Sequence, residues 1–166
     1  MTSVVGNREP LESCGAHFVN YDHGVKPDIA KGVGISGLID CIHKVIIKKD
    51  AFSGHSCSLL TGGHDYGKFG EERKGSTVGG PITIEEGVWI GSFSIILGKS
   101  GGTVIGAHSV IGAGAVVAKS VPPYEVWVGN PAKCIKKYNH ETKKWEKVNE
   151  KRTKDADNIE IKDVTG

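Results

Sequence analysis

Apolar residues recur along this chain with a period of six. Ile84, Ile90 and Ile96 are six apart, as are Ile105, Ile111 and Val117. The same ruler laid upstream falls on Ile35, Cys41, Ile47, Ser53 and Leu59. A second series lies two residues before each of these: Val33, Ile39, Val45, Ala51 and Cys57, then Ile82, Val88, Ser94, Thr103, Ser109 and Ala115. Every member of that second series is small or β-branched. In a strand, residues i and i−2 share a face. A like-facing pair every six positions therefore predicts strands of a few residues, each followed by a corner. Glycine follows the main position at Gly91, Gly106 and Gly112, where it is expected to relieve the backbone of a corner. An amphipathic helix would need apolar residues at i, i+3, i+4 and i+7, which this ruler does not supply. Ordinary hairpins would need turn signals every 8–12 residues.

The ruler is broken twice. Between Ile96 and Ile105 the gap is nine, so three extra residues sit near Gly98–Gly102. Residues 62–81, GGHDYGKFGEERKGSTVGGP, leave the pattern altogether and read as an excursion rich in glycine and charge. Long loops in compact domains are usually functional or disordered. The chain divides into an irregular N-terminal cap (1–30), a repeat domain (31–137, with the excursion at 62–81) and a polar tail (138–166). Pro122 and Pro123 are expected to end the regular repeat. In the tail, YNHETKKWEKV is expected to form a short hairpin or helix with a solvated face.

Composition sharpens this picture. The sequence holds 33 Val plus Ile but only 5 Leu, which suits strands rather than helices. Glycine is 24 of 166 residues, about twice the usual ~7%, and points to many tight turns. A formal net charge of +2 argues against bulk electrostatic binding of nucleic acid. No apolar run approaches the ~18–20 residues of a spanning helix. The start, MTSVVGNREPLESCG, lacks a basic region followed by an apolar one, so nothing marks export and a cytoplasmic location is expected. Four cysteines in such a chain are expected to be reduced thiols, with Cys41 and Cys57 in the core.

The segments ITIEEGVWIGSFSIIL, TVIGAHSVIGAGAVVAKSVPP and VGNPAKCIKK, together with the hexad ruler, resemble the hexapeptide-repeat acyltransferases over about residues 31 to 137. Within that family the likeness is to sugar O-acetyltransferases of the maltose and galactoside acetyltransferase type. The resemblance implies an all-β fold, a left-handed parallel β-helix of triangular section with three hexads per coil, a protruding loop and a short C-terminal segment. It also implies a homotrimer with active sites between subunits. The left-handed crossover departs from the usual right-handed rule and rests on the resemblance alone.

Seven histidines occur, and His64 stands out by position, in LLTGGH at the start of the excursion. In the resembling enzymes a catalytic His occupies this place, in a Thr-x-x-His or Thr-Gly-His setting. The chemistry needs such a group, because a sugar hydroxyl attacking a thioester must lose a proton. A neutral imidazole, with an ordinary pKa near 6.5, can take it. The oxyanion of the tetrahedral intermediate then needs a fixed donor. In the family this is a backbone N–H just after VWIG, and Ser92 matches that position. Acetyl-CoA is the implied co-substrate. The positions matching the family's coenzyme contacts are Ser92, Ala113, Ala118, Lys119, Lys133 and Lys136, the lysines as phosphate partners. No metal is expected. The chain departs from the family in having Asp65 where Pro usually follows the catalytic His. If the coils align without a slip, Gly34 stands where the galactoside enzyme has an acceptor-binding Asn. Asp65 could orient a ring, bind an acceptor hydroxyl or face water, and His55 is a lesser candidate for the site.

Two tempting motifs fail. GVGISG matches G-x-G-x-x-G, but the hexad ruler runs through it where a strand and long helix would be required. Gly98-Lys99-Ser100 resembles the end of a P-loop, yet the required first glycine falls at Phe93. The reading reached is acetyl-CoA-dependent O-acetylation of a sugar or glycan precursor with His64 as general base. The alternatives are N-acetylation of an amino sugar or its nucleotide-linked form, a β-helix zinc hydratase needing three converging histidines, and a non-catalytic solenoid.

Overall fold

The structure, a computed structural model, describes residues 15–148. The cap up to residue 14, with Cys14, and the tail from residue 149 lie outside the described residues. The chain climbs in coils. The first holds β1 (Ala16–Val19), β2 (Asp28–Ile29) and a bridge at Gly34. The second holds β3 (Gly37–Asp40), β4 (Val45–Ile47) and β5 (Phe52–Ser53). The third begins with β6 (Cys57–Leu60), departs through β7 (Gly62–Gly63), α1 (Gly70–Lys74) and β8 (Val78–Gly79), and resumes with β9 (Ile82–Ile84) and β10 (Trp89–Ile90). The fourth holds β11 (Ile95–Leu97), β12 (Thr103–Ile105) and β13 (Val110–Ile111). The fifth holds β14 (Val116–Val117), a bridge at Val121 and β15 (Glu125–Val128). An antiparallel pair, β16 (Lys133–Asn139) and β17 (Lys144–Lys147), closes the described chain.

Parallel ladders stack these strands into three faces: β1-β3-β6-β11-β14 form face I, β2-β4-β9-β12 face II, and β5-β10-β13-β15 face III. The chain visits I, II and III in that order in each coil. These stacked short strands and corners are what the repeat predicts, and they are consistent with the all-β, left-handed parallel β-helix that the resemblance implies. Pairing registers define one inward column per face. Face I stacks Phe18, Ile39, Leu59, Ile96 and Val117. Face II stacks Ile29, Ile47, Ile84, Ile105 and Val121. On face III, Ser53, Ile90, Ile111 and Trp127 are stacked. Most of these side chains are fully buried, together with the second series from Val33 to Ala115. Each buried Val or Ile contributes about 1.5–3 kcal/mol.

Spacing along the columns separates the edges. From face II to face III the step is six residues in each of four coils: Ile47 to Ser53, Ile84 to Ile90, Ile105 to Ile111, and Val121 to Trp127. From face I to face II it varies coil by coil: eleven (Phe18 to Ile29), eight (Ile39 to Ile47), twenty-five (Leu59 to Ile84), nine (Ile96 to Ile105) and four (Val117 to Val121). The I/II edge thus absorbs the large length changes, the 62–81 excursion and the Gly98–Gly102 bulge among them.

Four expectations change. The coils begin at Ala16 rather than residue 31, because β1 pairs with β3 and β2 with β4. They do not end at Pro122-Pro123, since β15 still pairs in parallel with β13 beyond them. Ile39, not Cys41, lies level with Leu59, a two-residue slip that pushes Cys41 toward the I/II edge, where it is still buried. The glycines after the main positions serve a different purpose from the one expected. Positive φ falls three residues after the column residue instead, at Asp50, Ser56, Gly87, Phe93, His108 and Gly114. Gly106 is needed for contact with the next coil, where an added Cβ would sit 2.3 Å from the Pro123 nitrogen.

The end of the column is sealed by Trp127, whose indole N–H donates to Glu125 at 2.7 Å while Lys137 pairs with Glu125 at 2.8 Å. The β16–β17 hairpin, the hairpin outcome of the two expected for this segment, is held by rings: Tyr124 meets His140 edge-on at 4.5 Å, and Tyr138 meets Trp145 at 5.3 Å.

Two glycine substitutions separate these effects. Gly106→Ala forces backbone against backbone and is expected to cost about 3 kcal/mol. At Gly114, φ is +69° and nothing lies within 4 Å of an added Cβ. Gly114→Ala should therefore cost only about 1 kcal/mol of backbone strain. Urea unfolding measures both, and equal or reversed costs would contradict this account of the corners.

Candidate functional site

After Leu60 the chain leaves face I at the I/II edge. Asp40, on the coil below and only 5% exposed, meets it there. Its carboxylate accepts hydrogen bonds from the Thr61 amide (3.1 Å), the Thr61 hydroxyl (3.0 Å) and the Gly62 amide (2.8 Å). The Ile42 amide (3.3 Å) and the Asn20 side-chain amide (2.8 Å), from one coil lower, complete the shell. The excursion then rises as a narrow antiparallel stem, with Gly62 opposite Gly79 and Gly63 opposite Val78. A Cβ on Gly79 would lie 2.0 Å from the Thr61 carbonyl oxygen, so the two arms of the stem can approach only through glycine.

His64 follows the stem and is exposed. Its Nδ1 lies 2.7 Å from the Ser76 carbonyl oxygen. A carbonyl can only accept, so Nδ1 carries a proton, and a neutral ring held this way would present its lone pair at Nε2. The loop around it is tied internally. The Ser76 hydroxyl accepts from the Asp65 amide at 2.9 Å and donates to the Arg73 carbonyl at 2.8 Å. The Arg73 guanidinium donates to the carbonyls of Lys68 (2.6 Å) and Tyr66 (3.1 Å). Asp65 does not orient the imidazole; its carboxylate closes a turn by accepting from the Gly67 amide at 2.9 Å. Sequence reasoning missed Asp40, Ser76 and Arg73. Asp40 could have been flagged as a charge inside an apolar series, whereas nothing in the spacing marks the other two.

Burial opposes ionisation of Asp40, but the bonds from Asn20, Gly62, Thr61 and Ile42 outweigh it and hold the carboxyl below its usual range. The same burial, with the Asp40 charge next to it, pushes the Cys41 thiol up to about 11, which makes it an inert core thiol.

The other sequence candidates fall into three places. Ser92 and Ala113 follow β10 and β13 on the III/I edge, where the Ser92 hydroxyl accepts from the His55 amide at 3.1 Å and its carbonyl from the Gly114 amide at 2.9 Å. His55 therefore sits beside Ser92 and not beside His64. Ala118 and Lys119 follow β14 on the I/II edge, the edge that carries His64, two coils further on. The Lys119 ammonium lies 5.0 Å from the centre of the Trp127 ring. Lys133 and Lys136 extend face III on β16, opposite Val128 and Val126. Within one chain the I/II edge, from which the His64 arm leaves, and the III/I edge that carries Ser92 are thus separated by the width of face I, about 10–13 Å for a four-residue strand. Trp89 points outward on face III and stacks on Phe52, ring centres 6.0 Å apart. Among the described residues, no three His, Cys, Asp or Glu side chains gather as a metal-ligand set, and no helix is long and apolar enough to cross a membrane.

No family model matches the chain. Over 97 residues it is 41% identical to a protein of Schizosaccharomyces pombe named as a putative acetyltransferase, a match covering 58% of this chain and 45% of that one. Over 67 residues it is 50% identical to the putative lipopolysaccharide biosynthesis O-acetyl transferase WbbJ of Escherichia coli, covering 40% of this chain and 33% of the relative. These matches span less than half the length of either relative. A solved structure of a maltose O-acetyltransferase from Clostridium difficile 630 superposes with a TM-score of 0.50 at 28% identity, over 68% of this chain and 63% of that one.

The shell around Asp40 gives stability a direction with pH. Its native carboxyl ionises below the 3.8 of an unperturbed group. The linked stabilisation is therefore complete above that unperturbed value and is lost as pH falls through the native one. Asp40→Ala leaves buried donors unpaired and is expected to cost about 1–3 kcal/mol at neutral pH. It should also flatten part of the acid-side fall in unfolding free energy. Urea titrations between neutral pH and pH 2 would contradict this if both proteins lost stability in parallel.

Proposed function

We propose that this chain, which belongs to the hexapeptide-repeat acetyltransferase family, moves an acetyl group from acetyl-CoA to a hydroxyl of a sugar or glycan precursor, with His64 as general base. The observation that carries this reading is the bond from His64 Nδ1 to the Ser76 carbonyl, which leaves Nε2 free on an ordered arm at the variable edge. The acceptor hydroxyl approaches the thioester carbonyl while Nε2 removes its proton. The new C–O bond forms and the carbonyl π electrons move onto oxygen. Collapse of the tetrahedral species expels the coenzyme thiolate, which takes the proton back from the imidazolium. General base assistance of this kind is worth about 10²–10⁴ in rate.

The oxyanion needs a preplaced donor, and the Ser92 backbone amide is the one assigned. Because Ser92 and His64 lie on different edges of one prism, both reach one acetyl group only when a second copy brings its III/I edge to this copy's I/II edge. This supports a homotrimer with sites between subunits. The ammonium groups of Lys119, Lys133 and Lys136, together with the small residues Ala113 and Ala118, are assigned to the donor's phosphates and pantetheine arm. The sugar assignment draws on the relatives named above as O-acetyltransferases.

The test is release of free thiol from acetyl-CoA in the presence of sugars, nucleotide sugars and amino sugars. The wild-type chain is expected to turn over with at least one hydroxyl acceptor, and His64→Ala to lose about 10²-fold or more of that rate. Full turnover by His64→Ala would remove His64 as the base. Light scattering should give three times the 17.6 kDa chain mass, and an active monomer would contradict the shared site.

A further inference from the structure

Asp40 belongs to no strand of the excursion, yet its carboxylate collects the first two amides and the hydroxyl at the excursion's root. Thr61 adds a second tie, since its hydroxyl also lies 3.0 Å from the Asp40 carbonyl oxygen and accepts from the His43 amide at 3.0 Å. Asn20 holds Asp40 from the far side at 2.8 Å. Three successive coils are therefore connected at the I/II edge, through Asn20, Asp40 and Thr61-Gly62. Gly62 opens the stem, and His64 stands two residues further along.

We propose that Asp40 is a positioning residue for His64: it fixes the height and direction at which the stem leaves the prism, and so keeps Nδ1 of the imidazole on the Ser76 carbonyl. Beyond Asp40, the root is tied by the Gly80 amide, which donates to the Thr61 carbonyl at 3.0 Å, and by the close approach of Gly62 to the Ile42 side chain and of Gly80 to the Lys99 carbonyl. The arm's strands are two residues long, its paired residues are Gly62, Gly63, Val78 and Gly79, and its helix buries none of its residues. Side chains of the arm's own cannot set its angle, because its base is mostly glycine. A buried carboxylate with five directed donors can, because each bond loses strength steeply when its angle departs from linear. The bond between His64 and Ser76 runs across the arm, from one side of the excursion to the other. A change of angle at the root shears the two sides and lengthens it.

This inference rests on His64 being the base only for its effect on rate; its effect on the ring is separate. The experiment reads both in full-length protein. Imidazole nitrogen shifts of His64 are recorded by NMR at a pH where the ring is neutral, for wild type, Asp40→Asn and Thr61→Val, alongside kcat and the KM for acetyl-CoA. Wild type is expected to show the Nδ1–H form alone, and both variants a mixture of the two neutral tautomers. With this goes a fall in kcat of about 10–100-fold for Asp40→Asn and severalfold for Thr61→Val, while KM for acetyl-CoA stays within about twofold. Ile111→Val, a core truncation far from this edge, controls for general loss of stability and should leave shifts and kcat alone. Thr61→Val, close in shape to the native residue, decides the matter if Asp40→Asn does not fold. A folded variant of either kind with His64 shifts and kcat like wild type overturns the proposal. If His64→Ala retains turnover, the reading of His64 as base fails, while the nitrogen shifts still decide whether Asp40 sets the ring.

Discussion

The width of the prism is set by what can lie side by side along its axis. Leu59, Ile84 and Ile90 meet there in one coil, and Ile96, Ile105 and Ile111 in the next, with the small and β-branched second series filling the space between columns. Within a column, each inner residue is paired through its backbone to the one above and the one below. A coil can therefore neither widen nor narrow without breaking the parallel ladders on all three faces. Close packing of this kind tolerates changes in chain length only where the chain is outside the core.

That constraint explains where the molecule is irregular. The six-residue step from face II to face III holds the chain to a tight corner. The I/II edge is released from it, and steps of four to twenty-five residues occur there. An arm inserted at either of the other edges would have to replace a corner whose left-handed residue is in use and, on the III/I edge, a closely approached glycine (Gly54, Gly91 or Gly112) as well. At the I/II edge the arm costs the core nothing, provided its root is anchored. The buried Asp40 carboxylate is that anchor, and its own burial is made tolerable by five donors rather than by a counter-ion.

The same division decides what could be read before the structure was known. Columns such as Ile84, Ile90 and Ile96 are legible because burial selects β-branched residues at a fixed period. The excursion is legible as an absence of that period, and His64 by its place at the excursion's start. The first coil was hidden because its I-to-II step of eleven residues, Phe18 to Ile29, hides the ruler. The slip at Cys41 was hidden for a related reason, as Ile39 and Cys41 are both buried and only pairing with Leu59 distinguishes them. Hydrogen bonds across the arm, such as Ser76 to His64, have no period at all. A corner after Ile90 was legible from Gly91, but that the Ser92 beside it lies on a different edge from His64 needs the order of the faces, which spacing alone does not give.

The central claim is that a thioester lies between two copies of the chain, within reach of His64 Nε2. A crystal structure with coenzyme A bound tests it most directly. The account predicts the coenzyme in an inter-subunit cleft, its thiol near Nε2 of one copy and the Ser92 amide of another, close enough for contact directly or through one water. Coenzyme bound elsewhere, or an imidazole at residue 64 with Nε2 turned away from the thiol, would contradict it.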